Sequence, residues 1–137
     1  MGALRFFDAA DRQGVELIWD LLHFGWPSDI DVFGSSFTMR FGDFAAAFAK
    51  LLRSRQNETT FIAPINEISF LSWAGGDKGF LNPFALDRGA ELKRQLVRAA
   101  YQASEANRKL LPLALFSTET STLRGRQIPG HPCAVEW

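Results

Sequence analysis

The chain has 137 residues, 47% of them hydrophobic and 22% charged, with fifteen basic residues against fifteen acidic ones. This composition describes one globular unit, and the balanced charge removes the electrostatic argument for nucleic acid or an anionic membrane as a partner. No apolar run approaches the ~20 residues of a bilayer span, no basic-then-apolar leader opens the sequence, and the lone Cys133 excludes an intramolecular disulfide, so a cytoplasmic location is expected.

In chain order, Leu4, Phe7 and Ala10 fall at helical spacing, with Gly14 as the stop. Val15 to Leu22 then reads as a short buried strand, broken by the loop signal His23-Phe-Gly-Trp-Pro27. Phe37, Phe41, Phe44, Phe48 and Leu51 are spaced four, three, four and three, which predicts an amphipathic helix capped at Ser35 or Ser36. A polar connector follows, in which Asn57-Glu58-Thr59 matches a glycosylation sequon and is read as a loop. Thr60 to Ile65 predicts a second strand, and Ser69 to Pro83 a long site-building loop that mixes glycine with aromatics. Leu92, Leu96, Ala99, Ala103, Ala106 and Leu110 define another amphipathic helix, with Asp87 as its cap and Pro112 beyond its end. Leu113 to Phe116 predicts one more strand, and from Ser117 to Trp137 the periodicity is lost, which predicts an irregular tail. Strands alternating with helices imply parallel pairing through crossovers.

Two predicted strand ends carry polar groups, His23 and Asn66-Glu67. In a parallel arrangement all strand C-termini share a face, so these groups converge there. A carboxylate at Glu67 suits proton transfer to a glycosidic oxygen, Asn66 suits donation to a sugar hydroxyl, and His23 a contact to another hydroxyl. Phe24, Trp26 and Trp73 offer apolar faces for a sugar ring, although aromatic residues are equally the material of a core. Gly75-Gly-Asp-Lys-Gly79 lacks the spacing and the hydroxyl residue of a phosphate loop. His23 and His131 stand apart from any cysteine or carboxylate cluster, so neither a metal nor a cofactor is expected.

These segments also carry a family resemblance. Leu21-Leu-His-Phe-Gly-Trp-Pro27 resembles the stretch after the third barrel strand of the retaining β-glucosidases of glycoside hydrolase family one, and Ile65-Asn-Glu67 resembles their Asn-Glu-Pro motif after the fourth strand. More closely, Trp19-Asp-Leu-Leu-His-Phe-Gly-Trp-Pro27 and Pro64-Ile-Asn-Glu-Ile-Ser-Phe-Leu-Ser-Trp-Ala-Gly-Gly-Asp77 are similar to bacterial β-glucosidase-like proteins of the same clan, over residues 1 to 112. The sequence departs from the family-one motifs at Ile68, where they have Pro, and at Phe24, where they have Trp.

The resemblance implies an α/β fold: a partial (β/α)8 TIM barrel over residues 1–116, with an irregular tail over 117–137. It implies a carbohydrate substrate with a β linkage, Glu67 as catalytic acid/base, and His23, Asn66, Phe24, Trp26 and Trp73 as substrate contacts. A whole barrel needs ~250 residues, and neither Glu119 nor Glu136 lies in a motif that marks the family's nucleophile. The expectation is therefore a β-glycosidase-type fragment, inactive alone, from a truncated or frame-shifted gene, and self-associating through exposed barrel edges. The alternative is a non-catalytic carbohydrate-binding module or a small α/β interaction domain.

Overall fold

A computed structural model describes residues 2–54, 61–111 and 115–116. Among them the chain forms α1 (Gly2–Gln13), β1 (Ile18–Asp20), α2 (Ser36–Arg53), β2 (Phe61–Ala63), α3 (Ile68–Leu71), a π-helical segment (Ser72–Asp77), α4 (Gly89–Leu110) and β3 (Leu115–Phe116). The sequon at Asn57, Pro112, Glu119, His131, Cys133, Glu136 and the predicted tail lie outside the described residues.

The expected partial (β/α)8 barrel is not what forms. The protein is mostly helical, with a small parallel sheet in the order β1-β2-β3. Its strands are three, three and two residues long among the described residues. Ile18 pairs with Phe61, Asp20 with Ala63, and Phe61 with Leu115. Such short strands present too few side chains to fill a barrel interior. Burial lies between helices instead: Phe37, Phe41 and Ala45 of α2 pack against Leu92, Leu96, Ala99 and Ala103 of α4, closed at one end by Ile65, Ile68 and Leu71. A smaller cluster of Phe7, Leu52 and Ile62 joins α1 to β2.

The alanines set how closely the two long helices approach. Ala45, Ala49, Ala99 and Ala103 are fully buried, and Gly42 faces the side chain of Gln102. Small residues allow helix axes to come near, and the larger Phe37 and Leu92 are buried in the same cluster. The buried stripe of α2 runs through Phe37, Phe41, Ala45, Ala49 and Leu52, so the predicted phenylalanine stripe holds at Phe37 and Phe41 and leaves the core at Phe44, which is 49% exposed. Nor is the Val15–Leu22 strand buried. It shortens to β1 at the sheet edge, with Val15 and Ile18 more than half exposed.

Asn107 of α4 has no exposed surface, and neither its amide nitrogen nor its amide oxygen has a hydrogen-bond partner. A buried polar group left unpaired costs about 1–3 kcal/mol. Asn107→Leu, with the same number of side-chain heavy atoms and no polar ones, is therefore expected to raise the unfolding free energy by about 1 kcal/mol, read as a higher urea midpoint at unchanged slope.

The start of α4 is fixed from a distance. Asp87 was the predicted cap, but the carboxylate that receives the Gly89 N–H is Asp77 Oδ1, at 2.5 Å, twelve residues upstream. Arg88 lies 3.5 Å over the Phe33 ring and donates to both oxygens of Glu91, at 2.8 and 2.9 Å. The hydrogen bonds from Arg88 hold the Glu91 carboxyl below its ordinary 4.5. A depressed folded value stabilises at pH above the unfolded value and is lost as pH falls through the folded one. Glu91→Gln is thus expected to destabilise slightly at neutral pH, with the difference from wild type vanishing on acidification below about 4.5, a trend that salt also weakens.

Candidate functional site

The site grows from the C-terminal ends of β1 and β2. The sheet pairing continues past the strands: the Leu21 N–H donates to the Ala63 carbonyl and the Asn66 N–H to the Leu22 carbonyl, both at 3.0 Å. Leu22 and Asn66 therefore lie side by side, and the residues that follow them, His23-Phe24 and Glu67, leave the sheet together.

Both exits are made in the left-handed region. Phe24 has φ 61° and Glu67 has φ 46°. Residues with a Cβ avoid that region at a cost of about 1–2 kcal/mol each. Gly25 is adjacent to Phe24 and has no left-handed φ, so the sequence places a phenylalanine, not the available glycine, at the strained position. The turn at Glu67 opens α3, whose Leu71 N–H donates to the Glu67 carbonyl at 2.9 Å.

His23 is exposed, and its Nδ1 lies 2.7 Å from Asp20 Oδ2. With Nδ1–H donated to that carboxylate, Nε2 is the ring nitrogen not engaged by Asp20. Asn66 is buried at 6% exposure and Glu67 is half-buried beside it. Two backbone segments thus bring an imidazole, a carboxyl and an amide to one end of the sheet.

An aromatic row extends from these groups. The His23 and Phe24 ring centroids are 4.5 Å apart, Phe24 and Phe70 5.6 Å, Phe70 and Trp73 6.0 Å, and Trp73 and Phe80 6.0 Å. Phe70 and Trp73 are nearly half exposed. The predicted loop from Ser69 to Pro83 is in fact helical as far as Asp77, which is why Phe70 and Trp73, three residues apart, lie on one side. The π-helical segment closes with Lys78 N–H donating to the Trp73 carbonyl at 3.0 Å, and such segments are uncommon and concentrate at functional sites.

Trp26 goes elsewhere. Its ring meets Phe37 edge-on at 5.8 Å and joins a second aromatic chain through Phe41 and Phe44. There it lines an apolar hollow of about 290 Å³ together with Leu21, Ile30 and Phe41. The loop carrying it is tied down by Gln95, whose Nε2 donates to the Val32 and Gly34 carbonyls at 3.1 Å. Of the predicted site residues, His23, Phe24, Asn66, Glu67 and Trp73 share one end of the sheet, while Trp26, half-buried, packs against Phe37 on the hollow.

Two contributors escaped the sequence reading. Asp20 is signalled only by its i,i+3 relation to His23. Phe70 would have been found by reading its segment as a helix. In the Gly75–Gly79 run the Gly75 and Gly76 carbonyls accept the Ala85 and Arg88 N–H groups, each at 2.8 Å. Among the described residues no three His, Cys, Asp or Glu side chains gather to hold a metal ion, and no helix is long and apolar enough to cross a membrane. The sequence matches no protein-family model and no curated protein.

Proposed function

We propose that this chain binds a β-linked glycoside along the row Phe24, Phe70 and Trp73, with Glu67 in the role of a glycosidase acid and His23 as a hydroxyl contact. The observation that carries the reading is the paired left-handed backbone of Phe24 and Glu67 at the ends of two adjacent strands. Backbone strain held at two neighbouring positions, one aromatic and one a carboxyl, fits a site better than a scaffold, because a glycine at either would relieve it. A sugar packs its C–H face on aromatic rings and offers its hydroxyls to polar groups at the edge, which is the chemistry this end of the sheet supplies.

Glu67 would donate a proton to the glycosidic oxygen as the bond to the anomeric carbon breaks. Retaining hydrolysis also needs a second carboxylate about 5–5.5 Å away to take the sugar as a covalent intermediate, and inverting hydrolysis needs one to activate water. Asp20 is engaged by His23, and the sequence places no other carboxylate in a glycosidase motif. Binding without turnover by the unaided chain follows. The lone cysteine supports a reducing, cytoplasmic setting for this activity.

A panel of aryl β-glycosides, titrated into wild type and Glu67→Gln, tests the proposal. Saturable binding by wild type, with release of aryl alcohol no faster than in the variant, is the expected result. A folded wild-type protein that binds none of the panel would refute the sugar reading. Turnover that disappears in Glu67→Gln would refute the absence of catalysis.

A further inference from the structure

The loop between the π-helical segment and α4 exposes more apolar surface than the sugar reading uses. Phe80, Phe84 and Leu86 are 67%, 68% and 67% exposed, beside Trp73 at 46%. They lie on one loop: Phe80 meets Trp73 edge-on at 6.0 Å, and an antiparallel bridge joins Lys78 to Leu86, whose side chain lies against Gly79. The backbone beneath is firmly held, with the Phe80 N–H on the Ala74 carbonyl at 2.7 Å and the Ala85 N–H on that of Gly75 at 2.8 Å. Phe84 takes φ 57°, so an exposed phenylalanine occupies a strained position that glycine would fill without cost.

We infer that this patch is the contact surface for a second copy of the same chain. Taking roughly 200 Å² for each large side chain, the exposures of Phe80, Phe84 and Leu86 amount to roughly 400 Å² of apolar surface. A standard interface covers about 800 Å² per partner, somewhat more than half of it non-polar, so the patch supplies the apolar share of one such interface. The rim decides what kind of partner fits. The same stretch carries Lys78 and Arg88 against Asp77, Asp87 and Glu91, with Arg88 already paired to Glu91, so it has no excess of positive charge to draw an anionic lipid or a polyanion. Under a two-fold axis Lys78 of one copy can meet Asp87 of the other, because both signs are carried on the one surface.

This contact differs from pairing of sheet edges, and it does not depend on sugar binding, since Phe80, Phe84 and Leu86 take no part in that site. Sedimentation and light scattering of the full chain across the micromolar range test it, with Phe84→Gly and the double variant Phe80→Ser, Leu86→Lys beside wild type. Phe6→Ser, on the equally exposed Phe6 of α1, serves as the control. Wild type and the control are expected at about twice the 15.3 kDa of one chain, and both patch variants at the single-chain mass. Circular dichroism should show the patch variants folded, with Phe84→Gly melting no lower than the wild-type monomer measured under dilution. Wild type that remains at the single-chain mass throughout, or a dimer that survives both patch variants, would overturn the inference. So would a single-chain wild type that co-sediments with phosphatidylserine vesicles, which would assign the patch to a membrane.

Discussion

Gly76→Ala is expected to lower the unfolding free energy by about 2–5 kcal/mol, a large part of the 5–15 kcal/mol that a domain possesses. A Cβ at Gly76 would lie 2.7 Å from the Gly89 Cα, 3.1 Å from its nitrogen and 3.2 Å from the Leu92 Cβ. Two of those three atoms are backbone at the start of α4, so no side chain can swing aside to make room. Overpacking against backbone costs about 1–3 kcal/mol or more. Moving α4 outward would also stretch the Arg88 N–H bond to the Gly76 carbonyl, at 2.8 Å, and the cap from Asp77 to Gly89, a further loss of about 1–2 kcal/mol. Gly75 meets the same limit against the Asn82 carbonyl oxygen, 2.5 Å from its would-be Cβ. Gly25→Ala is the matched control, because its Cβ would meet nothing within 4 Å and its φ is not left-handed. Denaturant melts of the two variants should separate widely. Coinciding midpoints would mean that the crossing of the π-helical segment over α4 is not as close as described.

Trp73→Ala is expected to weaken glycoside affinity by roughly 30-fold while changing stability by no more than about 1 kcal/mol. A sugar ring laid on the indole covers roughly 80 Å² of apolar surface, worth about 2 kcal/mol at 25 cal/mol per Å², and each 1.4 kcal/mol is tenfold in affinity. Trp73 is nearly half exposed, and the rings beside it, Phe70 and Phe80, are themselves at the surface, so little core packing is lost. Trp26→Ala should behave oppositely. Its ring is half-buried against Phe37 and supports the main core, so about 2 kcal/mol of stability should go while affinity barely changes. Isothermal titration and thermal melts on the same two variants give the comparison. A loss of affinity in Trp26→Ala equal to that in Trp73→Ala would move the site to the apolar hollow.

Local signals account for what the sequence revealed. The Phe37 to Leu51 spacing placed α2 because a sustained 3.6-residue period leaves few alternatives, and Gly14 marked the end of α1 through its left-handed φ of 62°. His23 and Glu67 were singled out because each follows an apolar run and precedes a break, which is how strand ends read.

The rest was decided by contacts between distant residues. Gly75-Gly76 looks like a helix breaker on propensity alone, yet it lies within the π-helical segment because α4 passes too close for any side chain. Asp77 caps a helix that begins twelve residues later, a relation no window of sequence contains, so the nearer Asp87 was chosen instead. The barrel expectation failed for a similar reason. Alternating helix and strand patterns give the order of elements, but strand length and closure depend on partners, and here the alanine seam of α2 and α4 captures the burial that a barrel would place among strands. Trp26 was grouped with Trp73 by composition, and the packing of its ring on Phe37 separated them.

The most direct test of the sugar site is an amide and indole NMR titration of the wild-type chain with phenyl β-glucoside, following the four tryptophan indole N–H signals. The account predicts that the Trp73 signal moves saturably, together with the backbone amides of Phe24, Glu67 and Phe70, while the buried Trp19 indole stays in place. A Trp73 signal that does not respond, in a sample whose dispersion shows it folded, would contradict it.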